Sequence, residues 1–195
     1  DLAHYVDLKG RNLLMKFTPA AIAKQDKRVQ GMDPDSYFHA SSCFMMGLVY
    51  NTSKVQAAAA PKSWNDLADP KWKGRLCIRS GSHDYNLALF GQFYASYGEA
   101  QAKSLISGIS SNLSRAPKGG DRDQARAIYE GKCDIAVMNT YYHPLMAASE
   151  AQKPWADATG VFFPSQGGKG TVIMRSAAGV TKATANRDLA VALLE

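Results

Sequence analysis

Two adjacent tyrosines, Tyr141 and Tyr142, are the residues whose types and position most directly suggest chemistry. They follow an apolar run, Ile135 to Met138, that is typical of a buried strand. Open α/β sheets bind ligands beyond the carboxyl ends of their strands, so this corner can direct both phenols into one cleft. A phenolate oxygen is a hard donor that suits a highly charged cation such as Fe(III). An isolated Tyr-Tyr pair more often has one packed and one solvated ring, so the remaining sequence must decide.

A second feature is the small-residue turn formed by Ser80, Gly81 and Ser82. It connects a predicted strand over residues 75–79 to a predicted amphipathic helix over residues 84–97. A strand, a turn and a helix start in this order bring backbone N–H groups and the positive end of the helix dipole to one edge of the sheet. The pattern indicates an anion-binding arrangement, although many such turns bind nothing.

The elements that position these residues alternate between strand and helix from residue 75 to residue 146, which is typical of a parallel α/β sheet. Another strand is predicted over residues 112–116, and Asp121 and Gln124 have the spacing of a capping box at the start of the next helix. In the helix over 84–97, five residues at helical spacing are predicted to face the core: Leu87, Phe90, Phe93, Tyr94 and Tyr97.

Composition and charge exclude several function classes. The chain has 195 residues, of which 46% are hydrophobic and 21% are charged, so it can form one large or two small globular domains. The formal net charge of +6 is spread along the sequence without a Lys/Arg run, which argues against nucleic-acid binding. No apolar run approaches the ~20 residues of a membrane span. The sequence has no nucleophile elbow, paired acid/base carboxylates or HExxH motif, so we expect neither an enzyme nor a membrane-embedded protein.

Three cysteines, Cys43, Cys77 and Cys133, lack the spacing of a zinc site. Cys77 and Cys133 lie in apolar runs that resemble strands of one sheet. If these strands are neighbours, a disulfide is geometrically feasible and would suit an oxidising compartment. Three buried free thiols is the alternative that the residues leave open.

Three stretches of the sequence together resemble one known family. In their order and spacing they are similar to the ferric-iron-binding periplasmic proteins of ABC importers, in the transferrin-like class of bacterial solute-binding proteins. The stretches are residues 72–86, 119–124 and 133–142, with further likeness at 63–70 and 170–182. The resemblance covers most of the chain from Tyr50 onward and is loose before it.

The resemblance implies a fold and a domain organisation. Family members have the α/β periplasmic-binding-protein type II fold, with two lobes of parallel-rich mixed sheets and a cleft between them. By position, residues 1–47 and 171–195 would be parts of lobe 1, and residues 48–170 would be lobe 2, which carries the tyrosine site. We expect the chain to be a mature or truncated piece without a signal peptide and without the N- and C-terminal segments of the family.

The resemblance also implies a ligand set. The paired tyrosines of the family match Tyr141 and Tyr142, and the third tyrosine of one branch matches Tyr85, in the first turn after its strand. Matching cysteines fall on Cys77 and Cys133, which favours the disulfide. Four residues would line the floor of the site as hydrogen-bond donors: Ser80, Gly81, Ser82 and Asn139. Two histidines, His83 and His143, are expected beside the site rather than as ligands.

One departure from the family concerns its synergistic anion. This chain has Phe44 and Met46 where the family commonly carries arginines that help bind such an anion or balance charge. A carbonate-like anion is therefore a weaker expectation here than Fe(III) itself. By the same comparison, we expect the chain to lack the opening strand of lobe 1, which supplies a His or acidic ligand in some members.

The function that the resemblance implies is transport without chemistry. The protein would be a monomer of the periplasm, or secreted and surface-anchored, that captures Fe(III) through tyrosinate ligands in the interlobe cleft and delivers it to the permease of an ABC importer. The alternative keeps the fold but changes the cargo to a small oxyanion or organic acid, with the tyrosines as walls of the cleft.

Overall fold

The structure is a computed structural model that describes residues 2–27 and 30–194. Within these residues it contains seven α-helices and seven strands, with short 3₁₀ helices between them. The helices are α1 (Leu2–Gly10), α2 (Asp84–Tyr97), α3 (Glu99–Ser111), α4 (Asp121–Tyr129), α5 (Tyr142–Ala147), α6 (Lys153–Asp157) and α7 (Arg187–Ala192). The strands are β1 (Leu14–Met15), β2 (His39–Asn51), β3 (Leu76–Cys77), β4 (Ile135–Asn139), β5 (Thr159–Phe162), β6 (Ile173–Ala178) and β7 (Val180–Thr181).

The chain divides into two compact units, whose boundaries lie close to the predicted lobe boundaries. The smaller unit consists of Asp1–Phe44 and Met174–Glu195, and the larger unit is Met45–Ile173. That these units act as the lobes of a closing cleft stays a prediction. Residues 1, 28, 29 and 195 of the predicted ranges lie outside the described residues.

In the smaller unit, β1 and β7 form a two-stranded antiparallel sheet. The carboxylate of Asp33 is buried in this unit and accepts hydrogen bonds from Lys9 Nζ (2.5 Å) and from the backbone N–H of Tyr37 (2.8 Å). A buried carboxylate is costly unless it is paired, so these bonds fasten the loop after residue 30 to α1.

The larger unit contains a mixed sheet with the strand order β3-β4-β2-β5, in which β2 pairs through its residues 46–51. Strand β4 runs parallel to β3 and antiparallel to β2, which is itself antiparallel to β5. The predicted α/β class with a sheet that contains parallel strands is therefore confirmed. No described helix combines the length and the hydropathy that a membrane span requires.

Strand β4 is the centre of the core, because it has a neighbouring strand on each side. All five of its residues are buried, and Ile135 and Met138 are fully inaccessible. Burial of such a side chain contributes about 1.5–3 kcal/mol. The β4 side chains pack with residues of β2, α4, α5 and α6: Val49, Ala125, Ile128, Met146 and Ala156. The apolar run before the two tyrosines is thus a buried strand, as the sequence predicts.

The parallel pairing of β3 with β4 brings two of the three cysteines together. Cys77 and Cys133 form a disulfide with their Cα atoms 5.9 Å apart. Such a bond stabilises a fold by about 2–4 kcal/mol, mainly by restricting the unfolded chain. Cys43 carries an exposed free thiol, so the alternative of three buried thiols is wrong.

The bounds predicted for α2 are correct, but its predicted core face is wrong in part. The buried residues are Asn86, Leu89 and Phe93, whereas Leu87 and Tyr94 are 54% and 40% exposed. The reason is the Asn86 amide, which donates to the backbone carbonyls of Arg79 and Ser80. This polar contact turns the helix so that a stripe displaced by one residue faces the core.

Two smaller predictions near α4 are also wrong. Residues 112–116 do not form a strand and contribute one isolated bridge to β3, because the Asn112 side chain donates instead to the carbonyls of Leu67 and Asp69. The predicted capping box at Asp121 is absent. The carboxylate of Asp123 accepts from the backbone N–H of Gly120 at 2.7 Å, and this frees Asp121 for another role.

Candidate metal centre

Tyr141 and Tyr142 lie where β4 passes directly into α5. Tyr141 already has helical backbone angles (φ −65°, ψ −20°), and Tyr142 is the first residue of the helix. In a continued strand their side chains would point to opposite faces, but a helical turn keeps them on one side. Their rings stack with centroids 4.2 Å apart and an interplanar angle of 30°.

Tyr85 lies in the first turn of α2, as the sequence predicts. The preceding His83 caps this helix, since its Nδ1 accepts a hydrogen bond from the backbone N–H of Tyr85 at 3.2 Å. The two rings also meet edge to face, with centroids 4.8 Å apart. His83 therefore holds Tyr85 at the end of β3 and uses Nδ1 to do so.

The three tyrosines meet at the hydroxyl of Tyr141. Burial, together with side-chain hydrogen bonds to Tyr142 and Tyr85, raises the pKa of Tyr141 above that of a free tyrosine. Its neutral phenol is thus the stable form while the cluster holds no cation. The structure brings together the three residues that the resemblance identified as ligands, and a cation that binds all three must displace their protons.

Behind the cluster lies a buried ion pair that the sequence reasoning missed. Arg79 Nη1 donates to Asp121 Oδ1 at 2.9 Å, and their side chains are 13% and 0% exposed. The other carboxylate oxygen, Oδ2, accepts from the backbone N–H of Asn139 at 3.1 Å and from its Nδ2 at 2.8 Å. The Asp121 carboxylate is therefore fully paired, as a charge this deep must be.

Two arginines lie against the tyrosine rings. The Cζ atoms of Arg79 and Arg122 are each 5.1 Å from a ring centroid, the former above Tyr85 and the latter above Tyr142. Cations in this position are attracted to an aromatic face. Both arginines belong to the stretches that resemble the family. The spacing at Asp121 indicates a helix cap, so the sequence does not predict the ion pair between Asp121 and Arg79.

Comparison with known proteins identifies the family. A family model described as bacterial extracellular solute-binding protein matches residues 5–195. The chain belongs to this family. Its mixed sheet is therefore that of a solute-binding protein.

Two curated relatives of this solute-binding protein come from Synechocystis sp. and are named for iron uptake. Iron uptake protein A1 is 41% identical over 150 residues, which cover 76% of this chain and 41% of the relative. Iron uptake protein A2 is 33% identical over 185 residues, which cover 92% of this chain and 53% of the relative. The solute-binding protein thus spans about half the length of these relatives.

Solved structures show the same fold. The apo ferric ion-binding protein A of Pasteurella haemolytica superposes with a TM-score of 0.91 at 32% identity, covering 100% of this chain and 61% of that one. A Trichodesmium protein solved with iron and citrate ligands gives 0.90 at 29% identity, with the same coverage. The solute-binding protein therefore has the periplasmic-binding-protein type II fold predicted for it.

The predicted hydrogen-bond donors of the solute-binding protein are largely engaged with one another. The hydroxyls of Ser80 and Ser82 are 2.8 Å apart, and the Ser82 N–H donates to Ser80 Oγ. Gly81, between them, is exposed. Asn139 is fully buried and gives both its backbone and side-chain N–H groups to Asp121. A role of these residues toward a ligand stays a prediction.

His143 has a structural task. Its Nε2 lies 3.2 Å from the carbonyl oxygen of Ala156 and 3.1 Å from that of Thr159. Because a carbonyl only accepts, Nε2 carries the proton, and the imidazole fastens α5 to α6 and β5. In the part of the chain that the structure describes, no group of three or more His, Cys, Asp or Glu side chains is placed to hold a metal ion.

Proposed function

We propose that this solute-binding protein captures Fe(III) with Tyr85, Tyr141 and Tyr142 and delivers it to the membrane permease of an ABC importer. The observation that carries the proposal is the shared hydrogen bonding of the three phenols at Tyr141. The names of its relatives and structural neighbours, which are iron-uptake and ferric-binding proteins, support the same cargo.

The chemistry of the cluster fits a trivalent cation. Three phenols that lose their protons supply three negative charges and three hard oxygen donors, which favour Fe(III) over softer or less highly charged ions. Arg79 and Arg122 stabilise the phenolates from the ring faces. The protein performs no reaction on the ion, which it holds and then releases in the compartment outside the cytoplasmic membrane.

An additional anion could complete the coordination of the ion. One structural neighbour was solved with both iron and citrate. Met46, at a position where the family commonly carries an arginine, is fully buried and opposite Asn139 in the β2–β4 register, so it offers no charge to such an anion. Any synergistic anion would instead be attracted by the exposed Arg122.

A visible absorption band tests the proposal directly. Tyrosinate bound to Fe(III) gives a charge-transfer band, so addition of ferric citrate to the purified protein should colour it. Tyr141→Phe removes the hydroxyl that joins the other two and should abolish the band. Tyr129→Phe is the matched control, because Tyr129 is 53% exposed on the surface of α4 and should leave the band unchanged. A wild-type protein that stays colourless would refute the proposal.

A second cargo class has one observation in its favour. The turn at residues 80–82 and the cations of Arg79 and Arg122 adjoin the tyrosines, an arrangement that also suits a small oxyanion or organic acid. Thermal unfolding with sulfate, phosphate or citrate, but without metal, distinguishes the two. Protection by these anions alone would favour the second class.

A further inference from the structure

Among the described residues, Asp121 is the one buried carboxylate that pairs both with Arg79, which lies above the Tyr85 ring, and with Asn139, which precedes Tyr141 and Tyr142. We propose that Asp121 is a positioning residue, which holds the three tyrosines in their binding arrangement through Arg79 and Asn139 without touching the ion. The inference rests on the proposed Fe(III) site and assigns a specific residue to its preorganisation.

The first connection runs from Asp121 to Tyr85. Arg79 Nη1 is bound to the carboxylate, whereas the buried Nε of Arg79 has no partner within the described residues. The bond to Asp121 is therefore what orients the guanidinium above the Tyr85 ring. Without the negative charge, the buried guanidinium would be uncompensated and would move toward water or toward other acceptors.

The second connection runs to the Tyr141–Tyr142 pair. Asn139 is the last residue of β4, two positions before Tyr141, and Asp121 Oδ2 accepts from both its backbone N–H and its side-chain amide. The buried Oδ1 of Asn139 has no partner among the described residues. Asp121 thus fixes the point at which the chain leaves the sheet and turns into α5.

The third connection is covalent. Asp121 is the first residue of α4, and the next residue, Arg122, lies above the ring of Tyr142. One carboxylate therefore joins the end of β3, the end of β4 and the start of α4. The first of these segments contacts Tyr85, the second leads directly into Tyr141, and the third contacts Tyr142. Groups that orient metal ligands in this way commonly change metal affinity when they are replaced.

A second ion pair, at the beginning of β3 and β4, provides a matched control. Asp134 pairs with Arg75 at 2.7 Å and with Lys54 at 3.4 Å, and its side chain is 14% exposed. Like Asp121, it connects the β3 segment to the β4 segment, but at the opposite end of the strands. Asp134 lies five residues before Asn139, roughly 16 Å along an extended chain. Loss of either pair should destabilise the fold, but only one adjoins the tyrosines.

The test compares Asp121→Asn with Asp134→Asn in the full chain, using ferric citrate as the iron source. Both variants should have a lower melting temperature than the wild type. Only Asp121→Asn should shift the tyrosinate band and weaken the apparent Fe(III) affinity, by about 10- to 100-fold. Arg79→Lys provides a second variant if Asp121→Asn does not fold. It keeps the charge but loses the planar fork, and it should shift the band in the same direction.

The outcomes separate this inference from the proposed function. A band and affinity that stay at their wild-type values in a folded Asp121→Asn or Arg79→Lys protein would overturn the positioning role and leave the iron site intact. Equal losses of affinity in Asp121→Asn and Asp134→Asn would also overturn it, because they would report general destabilisation. A wild-type protein without a band would instead overturn the Fe(III) proposal itself.

Discussion

Burial and hydrogen bonding act in the same direction on the pKa of Tyr141. Both raise the pKa of its phenol, so the proton that a bound cation must displace is held more firmly than in a free tyrosine. Weakly attracting cations cannot meet that cost, whereas a trivalent cation that gains three phenolates can. If the three phenols bind the ion as proposed, the cluster should favour a cation of high charge.

Replacement of Arg122 tests how much the positive charge beside Tyr142 contributes to cation binding. Its guanidinium lies above the Tyr142 ring and is exposed, so Arg122→Gln should remove its attraction to this ring without disturbing the buried groups. Such attractions at exposed sites are worth about 0.5–1 kcal/mol, and we expect the apparent Fe(III) affinity to fall about two- to fivefold. Competition with citrate, followed at the tyrosinate band, measures this change.

Arg126→Gln is the control for that experiment. Arg126 lies one turn further along α4, above the ring of Trp155 rather than a tyrosine, and should leave the Fe(III) affinity unaltered. Equal losses of affinity in the two variants would mean that the general positive potential of α4 matters, and not the contact with Tyr142.

At the scale of elements, the site depends on where strands end. β4 and β3 are parallel neighbours, so the residues that follow them emerge at the same edge of the sheet. Each strand is followed by a tyrosine at the start of the next helix, Tyr85 in α2 after β3 and Tyr142 in α5 after β4. α4 completes the site from behind, because its first residue is held by groups from both strand ends.

Local sequence patterns predict the strand-end geometry but not the polar contacts behind it. The apolar run of β4, the bounds of α2 and the position of Tyr85 follow from patterns that span a few residues. The bond between Arg79 and Asp121 joins residues 42 positions apart, and no local spacing indicates it. The capping box predicted at Asp121 is wrong, because the carboxylate of Asp123 accepts the hydrogen bond from the backbone N–H of Gly120 at the start of α4. Asp121 is therefore available for the ion pair with Arg79.

Another buried carboxylate makes a prediction about stability. Burial alone would raise the pKa of Asp33, but hydrogen bonds from Lys9 and from the backbone N–H groups of Tyr37 and Asp35 outweigh it and lower this pKa below 3.8. The folded state therefore gains stability from the Asp33 carboxylate above pH 3.8, and loses that gain as the pH falls through the depressed value. Asp33→Asn should cost about 1–2 kcal/mol at pH 7.

Thermal unfolding at several pH values measures this contribution. The difference in melting temperature between wild type and Asp33→Asn should be greatest near neutral pH and should shrink as the pH drops below 3.8. Asp35→Asn is the control, since Asp35 also pairs with Lys9 but its side chain is 57% exposed, and its replacement should have a smaller effect. A difference that does not depend on pH would contradict the assignment.

At the scale of the whole molecule, we expect Fe(III) binding and folding stability to be lost over different ranges of pH. Free tyrosine has a pKa of ~10, so Fe(III) binding near neutral pH releases phenol protons, and acidification returns them. Two of the carboxylates whose pKa values are lowered, Asp33 and Asp66, keep their stabilising charge down to pH 3.8. The chain should therefore remain folded through the interval in which the tyrosines release the ion.

Acid titration of the iron-loaded protein tests this separation. The apparent affinity should fall about tenfold per pH unit for each phenol that regains its proton, because each bound proton competes with the ion for one donor. The tyrosinate band should consequently disappear between neutral pH and about pH 5 in the presence of citrate, while the circular dichroism of the same sample stays at its starting value. Tyr85→Phe, which has one fewer proton to regain, should show a shallower dependence on pH. A band that persists until the fold itself is lost would mean that the ion is held by groups other than the phenols.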